Sequence, residues 1–267
     1  MAKMRIDALI FERGLAESRE RAKAYVMAGL VYIGGRRVDK PGEQVPADAE
    51  PEVRGGMKYV SRGGFKLEKA LVEFGVTVEN LVCADIGAST GGFTDCMLKR
   101  GAAKVYAVDV GYGQLAWSLR TDPRVVTLER VNARTMPPET LGEAVDFVTA
   151  DVSFISLRLI LPTVRRILKP GGLCVCLVKP QFEAGRGRVG KNGVVRDAET
   201  HIDVLRSFTG GAEENGFFVT GLTFSPIRGP EGNIEFLGKL GFAPGASEVS
   251  AESVVNAAHS AFEGETV

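Results

Sequence analysis

Apolar positions along this chain keep one rhythm before residue 58 and another after it. In the first stretch, Ile6, Leu9, Ile10 and Arg13 follow helical spacing and Gly14 is a natural stop, so residues 5–13 are predicted to form a helix. Ser18 is placed to cap a second helix, "RERAKAYVMAG", with Ala22, Tyr25 and Val26 inward, Arg19, Arg21 and Lys23 outward, and Gly29 at its end. "LVYIGGRRVDKPGEQV" then predicts a hairpin turning at Gly34 and Gly35. Residues 46–60 hold Pro46, Pro51, Gly55 and Gly56 without a sustained period, a linker signature. The expected division is residues 1–58 and 59–267.

Beyond the linker, apolar runs alternate with amphipathic stretches. Helices are predicted near 65–75, 156–168 and 199–214, and strands near 81–86, 104–109, 124–129, 145–150, 172–179, 217–224 and 234–239. This alternation predicts an α/β fold, a mostly parallel sheet covered on both faces. The last two strands leave no room for a crossover helix, and Pro226, Gly229, Pro230 and Gly232 make a turn-rich return, so the seventh strand should run antiparallel. That ending suits the methyltransferase variant of the Rossmann fold.

Charge changes the picture only locally. Of 267 residues, 33 are basic and 33 acidic, so no global field draws the chain to a polyanion. Residues 1–40 hold nine basic side chains against five acids, a modest excess. No signal peptide and no membrane-length apolar run is visible, which predicts a soluble, cytoplasmic protein without a membrane partner. Cys174 and Cys176 alternate on one strand face without the further ligands a zinc site needs; with Cys83 and Cys96 they are expected to be buried apolar residues, and no metal is predicted. His201 and His259, far apart in sequence, suggest no catalytic constellation.

The chemistry gathers around "DIGASTGGF", residues 85–93. Its glycines miss the spacing of a dinucleotide loop because Ser89 stands where the second glycine belongs, and no Lys-Ser/Thr pair follows as in a Walker loop. A carboxylate two residues before Gly87 would repel a pyrophosphate but could accept a hydrogen bond from an ammonium group. S-adenosylmethionine carries an ammonium and no phosphate. The expected cofactor site is therefore Asp85, Gly87, Ala88, Ser89, Gly91, Gly92 and Phe93, with the three glycines letting backbone approach the methionine part. Asp109, ending the second strand of the sheet, could take both ribose hydroxyls, or simply cap the next helix. Asn132 could meet the adenine, or serve as a turn residue.

Four further residues, distant in sequence, belong near the same sheet edge: Lys66 at a helix start, Asp151 in "ADVSF", Lys179 in "LVKPQFE" and Glu235 in "GPEGNIEFLGKL". This set resembles the catalytic tetrad of ribose 2'-O-methyltransferases of the RrmJ/FtsJ class. Arg5, Asp7, "GLAESR" and "GLVYIGGRRVDKPGEQV" resemble the S4 RNA-binding domain, with its small α+β fold. With "YVSRGGFKL", "DIGASTGGFTDCML", "DVSFISL", "GVVRD" and "SPIRGPEGNIEFL", nearly the whole chain is similar to the TlyA family, some of whose members are called haemolysins. The resemblance implies a seven-stranded class I methyltransferase sheet after an S4-like domain, S-adenosylmethionine as cofactor, and 2'-O-methylation of cytidine in ribosomal RNA or ribosomal subunits. It also implies that Arg5, Arg19, Lys23, Arg36 and Lys40 face RNA.

A ribose hydroxyl must lose its proton as it takes a methyl group, which calls for a base or for a cation that stabilises alkoxide character. Lys179 is the expected group. Lys66 would disfavour a charge on it, the two acids would favour it, and Asp151 could also orient Lys179 or lie beside the sulfonium. The stretch "EAGRGRVGKNGVVRD", residues 183–197, is expected to be a loop at the mouth of the site whose Arg186, Arg188 and Lys191 grip phosphates, or a merely solvated loop. The competing functions are a membrane-active haemolysin and an RNA-binding protein without catalysis.

Overall fold

The computed structural model describes residues 2–16, 18–55, 58–245 and 250–264, and divides into two compact units, Met1–Gly64 and Phe65–Val267. In the first, strand β1 (Lys3–Arg5) leads into helices α1 (Ile6–Glu12) and α2 (Arg19–Met27). Ser18 caps α2 as its sequence predicts, its hydroxyl accepting from the Arg21 N–H at 3.1 Å. The hairpin is β2 (Val31–Ile33) and β3 (Arg36–Arg37); Gly34 and Gly35 both have positive φ, which the tight turn requires. Ile6, Leu9, Ile10, Ala22, Val26, Val31, Val38 and Val45 form its core.

The expectation of an unstructured linker over 46–60 needs correction. Strand β4 (Gln44–Pro46) pairs with β1, and β5 (Pro51–Val53) pairs with β2. Three-residue strands are too short to show a period, so only their partners reveal them. Gly56 of the expected linker lies outside the described residues.

The second unit is a seven-stranded sheet. In chain order come α3 (Gly63–Glu73, which begins at the boundary), β6 (Val82–Ile86), α4 (Gly92–Lys99), β7 (Lys104–Val108), α5 (Trp117–Arg120), β8 (Val125–Leu128), β9 (Val145–Ala150) and α6 (Leu161–Ile167). Then follow β10 (Leu168–Val178), α7 (Pro180–Glu183), α8 (Ala198–Glu214), β11 (Phe218–Phe224), β12 (Phe236–Gly241) and α9 (Ala251–Ala261). The strand order is β11-β12-β10-β9-β6-β7-β8, with β12 antiparallel to both neighbours, as its short return predicts. The chain runs outward from β6 through β7 to β8, then crosses back to lay β9 on the other side of β6. The carboxyl ends of β6 and β9 thus flank a topological switch point, where open α/β sheets leave a crevice. One face of the strands on either side of it packs Ala84, Ile86, Val108, Val148, Ala150, Cys176 and Val178 into a single core, and the other buries Cys83, Phe147, Val175 and Leu177 together with the polar Asp85 and Thr149.

All four cysteines are buried. The predicted helix at 156–168 is a 3-10 turn (Leu157–Leu159) followed by α6, which carries Pro162 in its first turn, a position where a missing N–H costs nothing. Among the described residues no helix is long and apolar enough to cross a membrane.

Candidate active site

The loop after β6 is built on a buried carboxylate. Asp85 has no exposed surface: the Thr94 N–H and hydroxyl donate to Oδ2 at 2.9 and 2.7 Å, and the Thr149 hydroxyl donates to Oδ1 at 2.9 Å. Burial raises its pKa to about 6, against the pull of these hydrogen bonds. Both oxygens of the carboxylate that the sequence offered to an ammonium group thus already accept hydrogen bonds within the protein. Asp85 ties β6 to the first turn of α4 and to β9, and so sets the shape of the loop between.

The glycines also have a reason other than the expected ligand. Gly87 has φ +85°, and a Cβ there would stand 2.3 Å from the Asp151 carbonyl oxygen, so its bareness lets the β6 and β9 ends close on each other. Gly91, at φ +94°, precedes α4, and a Cβ on it would meet Leu119 at 2.2 Å. Gly92 and Phe93 open α4 and are buried, as is Ala88; Ser89 is exposed at the rim. Asp109 follows β7 and reaches across to this loop, accepting from the Ser89 N–H at 2.8 Å through Oδ2 and from the Gly111 N–H at 2.6 Å through Oδ1. Asn132 is exposed and accepts from the Arg134 N–H at 3.0 Å, the turn geometry that was its alternative reading.

The four scattered residues form two ion pairs. Lys66, in the first turn of α3, pairs with Glu235, joining residues 169 apart in sequence. Asp151 and Lys179 follow β9 and β10, and Asp151 Oδ1 lies 2.6 Å from Lys179 Nζ, off the axis of a hydrogen bond. Glu235 precedes β12 instead of lying within it, yet the antiparallel register pairs Phe236 with Val178. Glu235 and Lys179 are therefore the next residues at neighbouring strand ends. The pairs differ in exposure: the side chains of Lys66 and Glu235 are 10% and 1% exposed, those of Lys179 and Asp151 12% and 23%.

Contacts that carry no sequence signal complete this edge. Lys179 Nζ donates to Ser153 Oγ at 2.9 Å, and Glu183 on α7 accepts from the Ser156 hydroxyl at 2.7 Å and the Leu157 N–H at 2.8 Å. Asn233 is buried; its Oδ1 accepts from the Val195 N–H and its Nδ2 donates to the Gly193 carbonyl, both at 2.9 Å, fixing the far end of the 183–197 loop. In that loop Arg188 pairs with Asp203, and the side chains of Arg186 and Lys191 lie outside what the structure describes. His201 and His259, given no role from sequence, meet on α8 and α9 with Nδ1 and Nε2 2.9 Å apart.

In the first unit Asp7 is fully buried and gathers two of the expected RNA-facing side chains. Arg5 donates to it through Nε and Nη2 at 3.0 and 2.8 Å, and Arg19 lies 3.6 Å away; the Arg5 hydrogen bonds hold the Asp7 pKa below its ordinary value. Gly42 lets the Arg5 guanidinium lie flat, since a Cβ there would be 3.2 Å from Nη1. Arg36 pairs with Glu43 at 2.6 Å, Lys40 is exposed, and Lys23 is half-buried.

The S4 domain model matches residues 4–50, and the FtsJ-like methyltransferase model matches residues 59–242. YqxC of Bacillus subtilis is 56% identical over 237 residues, 88% of this chain and 84% of its own length. The 16S/23S rRNA (cytidine-2'-O)-methyltransferase TlyA of Mycobacterium tuberculosis is 47% identical over 234 residues, 87% of each chain. A solved structure from Streptococcus thermophilus that carries a hemolysin name is 50% identical, covers 98% of both chains and superposes with a TM-score of 0.77. The chain belongs to the TlyA family, an S4 domain followed by an FtsJ-like methyltransferase domain.

Proposed function

We propose that this protein transfers a methyl group from S-adenosylmethionine to the 2'-hydroxyl of a cytidine ribose in ribosomal RNA, with Lys179 as the residue that acts on the hydroxyl. The observation that carries this reading is the pair of ion pairs, Lys179 with Asp151 and Lys66 with Glu235, on adjoining strand ends beside the switch-point crevice. The named activity of the Mycobacterium tuberculosis relative supports the substrate class.

The residues around the crevice suit the cofactor's chemistry. Residues 85–93 contain no basic side chain, so nothing there asks for a polyphosphate, and carboxylates stand at Asp109 and Asp151 to meet ribose hydroxyls and positive charge. Gly87, Ala88 and Ser89 would line the methionine side, Asp109 the ribose and Asn132 the adenine. S-adenosylmethionine supplies a methyl group on a positively charged sulfur. Everything else falls to the protein. Lys179, after giving its own proton to solvent, takes the proton leaving the ribose hydroxyl, Asp151, 2.6 Å away, balances the ammonium so formed, and release of that proton to solvent restores the amine for the next turnover. Lys66 and Glu235 hold the neighbouring wall in place as a neutral pair, which keeps their charges from pulling the proton elsewhere. Arg5, Arg19, Lys23, Arg36, Lys40 and Arg188 contact RNA phosphates and position the substrate without reading sequence. Incubating full-length protein with labelled S-adenosylmethionine and ribosomal subunits, then mapping the modified nucleotide, tests the reading. Label on a cytidine ribose with wild-type protein and none with Lys179→Ala is expected; label on a base, or none at all, would overturn it.

A further inference from the structure

We propose that Ser153 is a positioning residue for Lys179, holding its amine on target in both protonation states. This rests on the role given to Lys179 above. The hydroxyl lies 2.9 Å from Lys179 Nζ, and the amine thus has two neighbours of different character. Asp151 can only accept, so it grips an ammonium and has nothing to offer a neutral amine's lone pair. A hydroxyl can do both: it accepts from the ammonium and, on rotation about its C–O bond, donates to the neutral amine. A lysine that gains a proton during each turnover needs such a partner to keep its four-carbon side chain in one place throughout.

The rest of the segment is arranged to keep Ser153 there. Phe154, the next residue, has φ +64°, an uncommon conformation for a bulky side chain, and although it is exposed its ring reaches that of Phe182. The segment after β9 is held to the turn after β10 by several contacts. Lys179 meets Asp151 and Ser153, the rings of Phe154 and Phe182 lie 5.1 Å apart, and Glu183 takes hydrogen bonds from Ser156 and Leu157. The two segments are joined in parallel order, so the backbone at Ser153 is tied to the turn that carries Lys179. Ser153 is exposed, and its hydroxyl therefore does no work for the core.

Full-length Ser153→Ala and Ser153→Thr proteins test this, since Thr keeps the hydroxyl. In methyl transfer to ribosomal subunits, Ser153→Ala should lose about 10-fold in kcat through a mis-set amine, with KM for both substrates within about 2-fold, and Ser153→Thr should recover most of the loss. In protein labelled with 13C at lysine Cε, the Lys179 signal, identified by its absence from Lys179→Ala, should move in Ser153→Ala and return in Ser153→Thr. A wild-type kcat in Ser153→Ala, or an equal loss in both variants, would overturn the proposal. If wild-type protein transfers no methyl, the role of Lys179 fails, and the Lys179 signal still decides about Ser153: an unmoved signal sinks it.

Discussion

The two ion pairs at the sheet edge use the same chemical groups and have different surroundings. Glu235 is sealed from solvent and its partner Lys66 almost so, whereas Asp151 keeps a face open and Lys179 has a hydroxyl beside it as well as a carboxylate. A sealed pair cannot meet a substrate without first being exposed. Its worth is structural: each charge is tolerated in the interior only because the other is there. The open pair keeps part of Asp151 accessible from outside. On the proposed function, the reaction would fall to Lys179 and Asp151 and the framing of the wall to Lys66 and Glu235.

The largest expected effect falls on the open pair. Lys179→Ala should lower the rate of methyl transfer by about 10,000-fold, equivalent to about 5.5 kcal/mol of activation free energy, with an unchanged circular dichroism spectrum. The sealed pair should respond in stability. Glu235→Ala leaves the largely buried Lys66 ammonium without its partner and should cost about 4 kcal/mol in urea unfolding, whereas Asp151→Ala leaves Lys179, as well covered, with the Ser153 hydroxyl still beside it and should cost about 2 kcal/mol. Equal losses from the two acid variants would erase the distinction.

Asp85 sharpens the comparison through pH. Its folded pKa of about 6 lies above the ordinary carboxylate value, so the fold favours the protonated form. The stability this contributes is present below about pH 4 and is lost as pH rises through 6, by roughly 3 kcal/mol at most. Asp85→Asn should flatten that part of the pH dependence of Tm. His201 acts in the opposite direction: burial, and secondly the nearby His259, lower its pKa to about 4, so its contribution is present above about 6.5 and is lost on acidification towards 4. The single variants, titrated separately by thermal melts, should separate the two slopes.

Smaller effects come from the loops. Gly87→Ala sets a methyl group against the Asp151 carbonyl in a left-handed backbone and should cost about 2 kcal/mol in stability, together with a loss of rate from displaced Asp151. Arg188→Ala should weaken RNA binding by about 3-fold or less in a filter assay, because its guanidinium is already paired with Asp203 on an exposed surface.

Much of this architecture was legible along the chain because it is local. The cap at Ser18, the paired glycines of the first hairpin and the strand-helix alternation after residue 80 each depend on residues within a few positions of one another. The 46–60 stretch misled for the same reason: its strands are defined by partners more than a dozen residues away. α9 has a helical pattern of its own and went unread beyond the last predicted strand. Lys66, Asp151, Lys179 and Glu235 stood out through resemblance, because no spacing rule links residues so far apart.

The sequence alone determined which residue types stand at each strand end and that the last strand must turn back, since alternation and turn chemistry are properties of neighbouring residues. The tertiary structure alone decided who pairs with whom. It gave the threonines to Asp85, placed the Asp151 carbonyl against Gly87, joined His201 to His259, and divided four charges into a sealed pair and an open one. Burial and partnership are set by strand order and register, and these follow from the packing of the whole sheet and from no single segment of it.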